Sequence, residues 1–333
     1  MAAFALACVL VERVLPPREM PWLVQEKLWH LAAHGEDYNT LFLGSSRVEN
    51  NIMPSVFDHD VSGQGVAIKS FNFGISAMYP PQDAFVLDQI LDLKLKHIRW
   101  VFIELQTLQT TLPRANRGTL QQVYWHDWPR FALLCERFIT TRRQRHWRDR
   151  FEEISERVPD FSDHILLFAR YMTNLGRGSV LVNRWISHEP SPHPSTYFEK
   201  DHDGWEEAGL GHVMDRYEIA ALESDLAKRR KELPVKESAD PVSQKALDLM
   251  IAKIQRAGAT PVLFVPPSAR GTYFSPDTQH ARNVIVLNFC QPQKYPELYL
   301  TKNRVDPYHL NAAGAEILTH LLATRFVEDV ARK

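Results

Sequence analysis

The sequence predicts an α/β fold in which helices cover both faces of a mostly parallel, five-stranded sheet. Short, continuously apolar runs occur five times, as expected of strands that are buried on both faces. Longer stretches with apolar residues at helical spacing separate several of these runs. Apolar residues make up 44% of the 333 positions, so the chain has the composition and the length to bury a full core.

The apolar runs give the predicted strands in chain order, which are Leu41–Leu43, Phe71–Ser76, Ile98–Leu105, Pro261–Val265 and Asn283–Asn288. The predicted helices, each with an apolar stripe, are residues 80–95, 243–257 and 312–326, the last one capped by Asn311. Because strand and helix alternate, we expect a three-layer sandwich of the flavodoxin-like kind.

The middle of the chain departs from this alternation. Residues 112–239 combine scattered aromatic residues, charge-rich helical stretches and a proline- and histidine-rich segment at 187–194. We expect one large, mainly helical insertion that forms a lid or a binding surface, with one long helix over residues 129–157 and a shorter one over 162–173. The α/β core then consists of residues 35–111 and 240–333.

Residues 1–34 form a predicted N-terminal helix that begins with the apolar stretch Met1–Leu10. This stretch is too short to cross a bilayer, which takes about 20 apolar residues, and it lacks a basic leader. Two interpretations stay open, namely the end of a truncated membrane anchor and a buried helix that continues through Val11 and Val14.

Charge and cysteine content argue against several function classes. A net charge of −1 and a pI near 6.9 provide no basic surface for nucleic acid. The basic run Arg137–Arg150 is followed at once by acidic residues, which favours a solvated helix face over contact with an anionic membrane or glycan. The three cysteines lack metal-binding spacing, and the sequence predicts neither a metal nor a cofactor.

Two distant stretches carry the residue types that acyl transfer requires. Gly44-Ser45-Ser46 follows the first strand, and Asp306-Pro-Tyr-His309 precedes the last helix. A histidine takes the proton of an attacking serine, and a carboxylate orients that histidine. We therefore expect Ser46 as the nucleophile, His309 as the base and Asp306 as its partner, with Ser45 as the nucleophile if the turn is shifted by one residue.

These stretches resemble the SGNH (GDSL-like) hydrolase and acyltransferase superfamily. Gly44-Ser45-Ser46 is similar to its first block, usually Gly-Asp-Ser, with Ser45 in place of the acid. Phe71-Asn-Phe-Gly74 is similar to the second block, and Asp306-Pro-Tyr-His309 matches the Asp-x-x-His of the last block. The resemblance is to the membrane-anchored, extracytoplasmic branch that includes D-alanyl transfer proteins of teichoic-acid systems and alginate O-acetylation proteins.

The third block departs from the superfamily, which usually has Gly-x-Asn-Asp after the third strand. Here the run is Leu105-Gln-Thr-Leu-Gln109, so the asparagine amide that binds the oxyanion is missing. The resemblance implies the amides of Ser46 and Gly74 as oxyanion donors, with Gln106 or Gln109 replacing the asparagine. Loss of one such donor costs about 100- to 1000-fold in turnover, so slow or highly selective chemistry is an open alternative.

The resemblance implies a serine esterase or O-acyltransferase that modifies an envelope or extracellular polysaccharide in the periplasm or cell envelope. Its expected partners are an acyl donor, a glycan or polymer acceptor and a membrane-bound acyltransferase. One alternative is a catalytically degenerate domain that binds glycan or serves as a scaffold. A nucleotide-binding domain with Gly44-Ser-Ser as a phosphate cradle is disfavoured, because the sequence has neither Gly-x-Gly-x-x-Gly nor a P-loop lysine.

Two charged residues near these blocks have open roles. Glu104 lies inside an apolar strand, so we expect it to be buried in a structural pair. Arg47 either holds an anionic group beside the nucleophile or forms an ion pair.

Overall fold

The computed structural model describes residues 18, 20–112, 120–140, 147–174, 177, 198, 202–209, 214–231, 236–238, 240–270, 273–277 and 284–331. The chain divides into two compact units. The helical unit comprises residues 1–26 and 108–197, and the sheet unit comprises residues 27–107 and 198–333. The sheet unit contains the predicted Ser-His-Asp residues.

The strands of the described residues are β1 Thr40–Gly44, β2 Ser70–Gly74, β3 Trp100–Glu104, β4 Lys236–Ser238, β5 Thr260–Val265, β6 Tyr273–Ser275 and β7 Ile285–Asn288. Five of them form an all-parallel sheet with the order β2-β1-β3-β5-β7, which confirms the predicted fold class. Strands β4 and β6 form a separate parallel pair. The pairing of Gly44 with Gly74 and of Leu43 with Ile103 aligns the carboxyl ends of β1, β2 and β3.

The helices of the described residues are α1 Trp22–His34, α2 Ser46–Glu49, α3 Pro54–Gly63, α4 Gln82–Asp92, α5 Leu120–Val123, α6 Trp128–Ile139, α7 Trp147–Thr173, α8 Arg216–Lys231, α9 Pro241–Arg256 and α10 Ala312–Phe326. Helices α4, α9 and α10 confirm the three helices predicted for the core. The Asn311 side chain caps α10 as expected, because its Oδ1 accepts the Gly314 N–H at 3.0 Å.

Alternate residues of the strands face opposite helical layers, which explains why the strands read as continuous apolar runs. On one face, the Phe102 ring lies 5.7 Å from Phe57 of α3 and 5.5 Å from Phe326 of α10, centroid to centroid. On the other face, Leu41 and Val101 line an apolar groove together with α4 residues such as Leu87.

The helical unit corrects one prediction. The single helix expected over residues 129–157 is wrong, because α6 ends at Ile139 and Thr140 takes an extended backbone with φ −79° and ψ 113°. Helix α7 then runs from Trp147 to Thr173 and includes the region predicted as a separate short helix. Pro159 removes one helical donor without ending α7. Phe131 stacks on Phe168 with 4.1 Å between ring centroids, which packs α6 against α7.

None of the helices in the described residues combines the length and the apolar character that crossing a bilayer requires. The apolar stretch Met1–Leu10 and the segment 187–194 lie outside the described residues.

Candidate active site

The turn after β1 gives the two neighbouring serines different environments. Ser45 is buried and caps α2, with an extended backbone and an Oγ that accepts the Arg47 N–H at 3.3 Å. Ser46 begins α2 and is only partly buried. The Ser45 hydroxyl is therefore engaged in capping the helix. The Ser46 hydroxyl takes no part in the cap and faces the carboxyl edge of the sheet.

Ser46, His309 and Asp306 form a continuous hydrogen-bonded chain. Ser46 Oγ lies 2.7 Å from His309 Nε2, and His309 Nδ1 lies 2.7 Å from Asp306 Oδ2. The two ring nitrogens thus contact a hydroxyl on one side and a carboxylate on the other. This is the arrangement that lets a histidine take a serine proton while an acid fixes its tautomer.

The Asp306 carboxylate is held in its ionised form. Its Oδ1 accepts the backbone N–H groups of Tyr308 at 2.6 Å and of His309 at 2.7 Å. Burial by itself raises the pKa of Asp306, but the hydrogen bond and the charge of His309, together with these two backbone donors, outweigh it and lower the pKa. A charged acid is the form that stabilises a protonated histidine.

Buried polar groups fix the loop that carries Asp306 and His309. Arg304 is almost fully buried and donates from Nε to Leu298 O at 2.9 Å and from Nη1 to Pro307 O at 3.0 Å. Burial lowers the pKa of Arg304 to about 10. At the other end of the loop, the Leu310 N–H donates to Asn51 Oδ1 at 3.0 Å, which links the loop to the residues that follow α2.

The hydrogen-bonded residues Ser46, His309 and Asp306 line a cleft of about 520 Å³. This volume lies within the usual range of small-molecule sites, about 300 to 1000 Å³. Besides the triad residues, the cleft is lined by Asn50, Ser76, Ala208, Gly209, Met214, Glu218, Ala221, Leu222, Arg270, Val305 and Pro307. Its walls thus combine apolar side chains with a similar number of polar and charged groups that can orient a ligand.

Two of the predicted oxyanion donors, Gly74 and Gln106, already make hydrogen bonds within the protein. The Gly74 N–H donates to Asn72 Oδ1 at 2.8 Å, and Gln106 Nε2 donates to Met78 O at 3.4 Å. Neither residue is among the described residues that line the cleft. Gln109 is exposed and belongs to the helical unit. Their role as oxyanion donors therefore stays a prediction.

Asn72 is a site residue that sequence reasoning missed. It is fully buried, and its Nδ2 donates to Val48 O at 2.8 Å and to Ile52 O at 2.7 Å. Its Oδ1 accepts the Gly74 N–H. Asn72 therefore ties the nucleophile turn to β2. A single amide between two phenylalanines of a buried strand is the signal that indicates such a role.

Lys27 was also missed. Its ammonium is fully buried and donates to Asn72 O at 3.0 Å, Gly74 O at 2.8 Å and Gly204 O at 2.8 Å. Desolvation lowers the pKa of Lys27 to about 8, although nearby carboxylates, Glu49 first, act in the opposite direction. The sequence offers no signal for this role, because a lysine on a helix is usually solvated.

Glu104 is buried as expected and forms an ion pair with the partly exposed Arg47, with Glu104 Oε1 at 2.6 Å from Arg47 Nη2. Within the described residues, no cluster of three or more histidine, cysteine, aspartate or glutamate side chains is suited to a metal ion. Cys135 and Cys290 are free thiols.

A five-stranded parallel sheet with flanking helices is consistent with the SGNH superfamily, but many unrelated families share this architecture. The fold alone therefore does not indicate a function. No protein-family model matches the sequence, and no curated protein matches it.

Proposed function

We propose that this protein is a serine-dependent esterase or O-acyltransferase related to the SGNH superfamily. The observation that carries the proposal is the hydrogen-bonded chain from Ser46 through His309 to Asp306 at the edge of a cleft. A serine that lies 263 positions before its histidine, and a histidine that also bonds to a carboxylate, form an arrangement that packing alone does not readily explain.

In the proposed reaction, Ser46 Oγ attacks the carbonyl carbon of an ester while His309 Nε2 takes the hydroxyl proton. Collapse of the tetrahedral intermediate returns this proton to the leaving alcohol and leaves an acyl group on Ser46. A water or an acceptor hydroxyl then gives its proton to His309 and attacks the acyl carbon. Collapse of the second intermediate breaks the bond to Ser46 Oγ, and His309 returns the proton to that oxygen. Asp306 stays ionised and stabilises the imidazolium in both halves.

The backbone N–H of Ser46 supplies the first oxyanion donor in this proposal. It lies at the first position of α2, where an N–H has no acceptor within the helix. A contribution from the Gly74 amide requires it to exchange its bond to Asn72 for one to the oxyanion. With fewer free donors than the superfamily usually has, we expect slow turnover, since each donor is worth about 100- to 1000-fold.

The resemblance of the sequence blocks favours transfer to a polysaccharide hydroxyl over simple hydrolysis. The acceptor is then an envelope or extracellular glycan, and a membrane-bound acyltransferase supplies the acyl group outside the cytoplasm. Hydrolysis and transfer share the acyl-enzyme on Ser46, so the first test addresses that shared step.

The test is covalent labelling with a fluorophosphonate probe, which reacts with activated serines. We expect the wild-type protein to be labelled and the Ser46→Ala and His309→Ala variants to remain unlabelled. Ser76→Ala is the matched control, because Ser76 lines the same cleft and its hydroxyl bonds to Glu49 instead of His309. Absence of labelling in a folded wild-type protein contradicts the proposal.

A catalytically degenerate, glycan-binding domain is the second candidate. The hydrogen bonds that the Gly74 N–H and the Gln106 side chain already make favour it, because a site left with the Ser46 N–H alone loses about 100- to 1000-fold in rate for each missing donor. This candidate predicts that the wild-type protein binds polysaccharide but that fluorophosphonate does not label Ser46.

A further inference from the structure

Glu104, the last residue of β3, places a carboxylate against the turn that presents Ser46. Its side chain is fully shielded from solvent, and its Oε2 accepts the Ser45 N–H at 2.6 Å. The other oxygen, Oε1, lies 2.6 Å from Arg47 Nη2. A buried carboxylate is costly unless it is paired and hydrogen-bonded, and here both partners come from the two sides of Ser46.

The backbone of the turn is shaped to admit this carboxylate. A side chain at Gly44 would place its Cβ 2.6 Å from both Cβ and Oε2 of Glu104, and 2.5 Å from Val48 Cγ2. Glycine at this position therefore lets Glu104 reach the Ser45 N–H. That hydrogen bond fixes the peptide plane between Gly44 and Ser45, one residue before Ser46, and the ion pair fixes the side chain directly after Ser46.

We propose that Glu104 is a positioning residue for the Ser46 nucleophile and that Arg47 neutralises its charge beside the triad. This inference rests on the proposed function. Glu104 does not touch the reacting atoms; it acts through the Ser45 N–H and the direction of the turn. A displacement of about 1 Å in a reacting group can lower the rate about 100-fold. The rate gained from a rigid turn therefore offsets the free-energy cost of burying the Glu104 carboxylate.

The pair also has an electrostatic consequence. Together, Arg47 and Glu104 add no net charge near His309, whereas loss of either partner leaves one charge behind. A remaining positive charge disfavours the protonated imidazole, and a remaining negative charge favours it. The other charged groups around the turn and His309 are Glu49, which accepts the Ser76 hydroxyl at 2.6 Å, and Asp306, which is held by His309. Glu218 and Arg270 line the same cleft, and Arg304 donates to Pro307 O of the His309 loop. All five stay unchanged in the variants compared below.

The experiment measures the rate of fluorophosphonate labelling against pH for the wild type and four variants. Glu104→Gln keeps an acceptor for the Ser45 N–H, so we expect a loss of about 10-fold, whereas Glu104→Ala loses about 100-fold. The acid limb of the profile is the range in which the labelling rate falls as the pH is lowered. Its midpoint should move to lower pH in Glu104→Gln and to higher pH in Arg47→Met, by about half a pH unit in each case. In the double variant Glu104→Gln/Arg47→Met, the midpoint of the acid limb should return to the wild-type pH.

If Glu104 and Arg47 had a purely structural role, the variants would change the labelling rate or the thermal stability. They would not shift the acid limb in opposite directions in Glu104→Gln and Arg47→Met. Thermal melts followed by circular dichroism establish that each variant is folded. If Glu104→Ala does not fold, the labelling profiles of Glu104→Gln and Arg47→Met test the positioning role. A labelled wild type whose variants keep its rate and its acid limb overturns the positioning role alone. An unlabelled wild type overturns the proposed function and this inference together.

Discussion

Lys27 Nζ donates a hydrogen bond of 2.8 Å to the carbonyl oxygen of Gly74, although its ammonium is fully buried. The same nitrogen reaches Asn72 O and Gly204 O, so one charge from α1 supports the carboxyl end of β2. Three carbonyl acceptors replace most of the water that the ammonium loses. The arrangement makes α1 a structural support of the candidate active site.

Replacement of Lys27 by methionine should destabilise the sheet unit, because three buried carbonyl groups lose their donor. We expect a loss of about 3 kcal/mol in the free energy of unfolding, measured by urea denaturation. Lys228→Met is the matched control, since Lys228 is exposed on α8 and its loss should cost less than about 0.5 kcal/mol.

The pKa of Lys27 also predicts a pH dependence. Burial holds the pKa of Lys27 in the folded protein at about 8, below the ordinary lysine value of 10.5. Between these values the unfolded chain binds a proton that the folded chain does not, so this residue makes stability rise with pH across that window. The difference in urea midpoint between wild type and Lys27→Met should therefore grow from pH 8 to pH 10; a constant difference contradicts the shifted pKa.

Asp306→Asn should impair catalysis without unfolding the protein. An amide cannot stabilise an imidazolium and favours the wrong histidine tautomer, so we expect turnover of an activated ester to fall about 1000- to 10,000-fold. Asp225→Asn serves as the control, because Asp225 binds Arg270 at 2.5 Å and Arg270 lines the same cleft. Equal losses in both variants would argue against a special role for Asp306.

Gly74→Ala should displace the nucleophile helix. A Cβ at this position would lie 2.1 Å from the backbone nitrogen of Glu49, and a backbone atom of α2 cannot rotate out of the way. We expect a loss of about 100-fold in labelling of Ser46 and a lower melting temperature. At Gly63 an added Cβ meets nothing within 4 Å, so Gly63→Ala should leave both measurements unchanged.

Acid should destabilise the protein through His30. Burial lowers the pKa of His30 to about 4, and the ring stacks on Phe71 at 4.9 Å and contacts the Tyr38 hydroxyl at 2.9 Å. The unfolded chain takes up a proton near pH 6.5 that the folded chain excludes, so stability falls as the pH drops from about 6.5 towards 4. His30→Phe should flatten this part of the urea-midpoint profile.

The sheet and the triad residues could be predicted because their signals are local. Buried parallel strands read as apolar runs, and Asp306 and His309 share one short loop. The supports of the site could not be predicted in the same way. Lys27, Asn72 and Arg304 bind backbone carbonyl groups of distant segments, and such partners exist only once the chain has folded. The end of α6 was missed because Thr140 lacks a strong helix-breaking signal.

Ser46 and its histidine are separated by 263 positions, and yet their side chains touch. A chain grows from its N-terminus during synthesis, so the turn that holds Ser46 leaves the ribosome long before the loop that holds His309. A nascent or C-terminally shortened chain therefore carries the serine without a base. Only molecules that have been synthesised through residue 309 and folded can form the contact between Ser46 and His309 that the proposed chemistry requires.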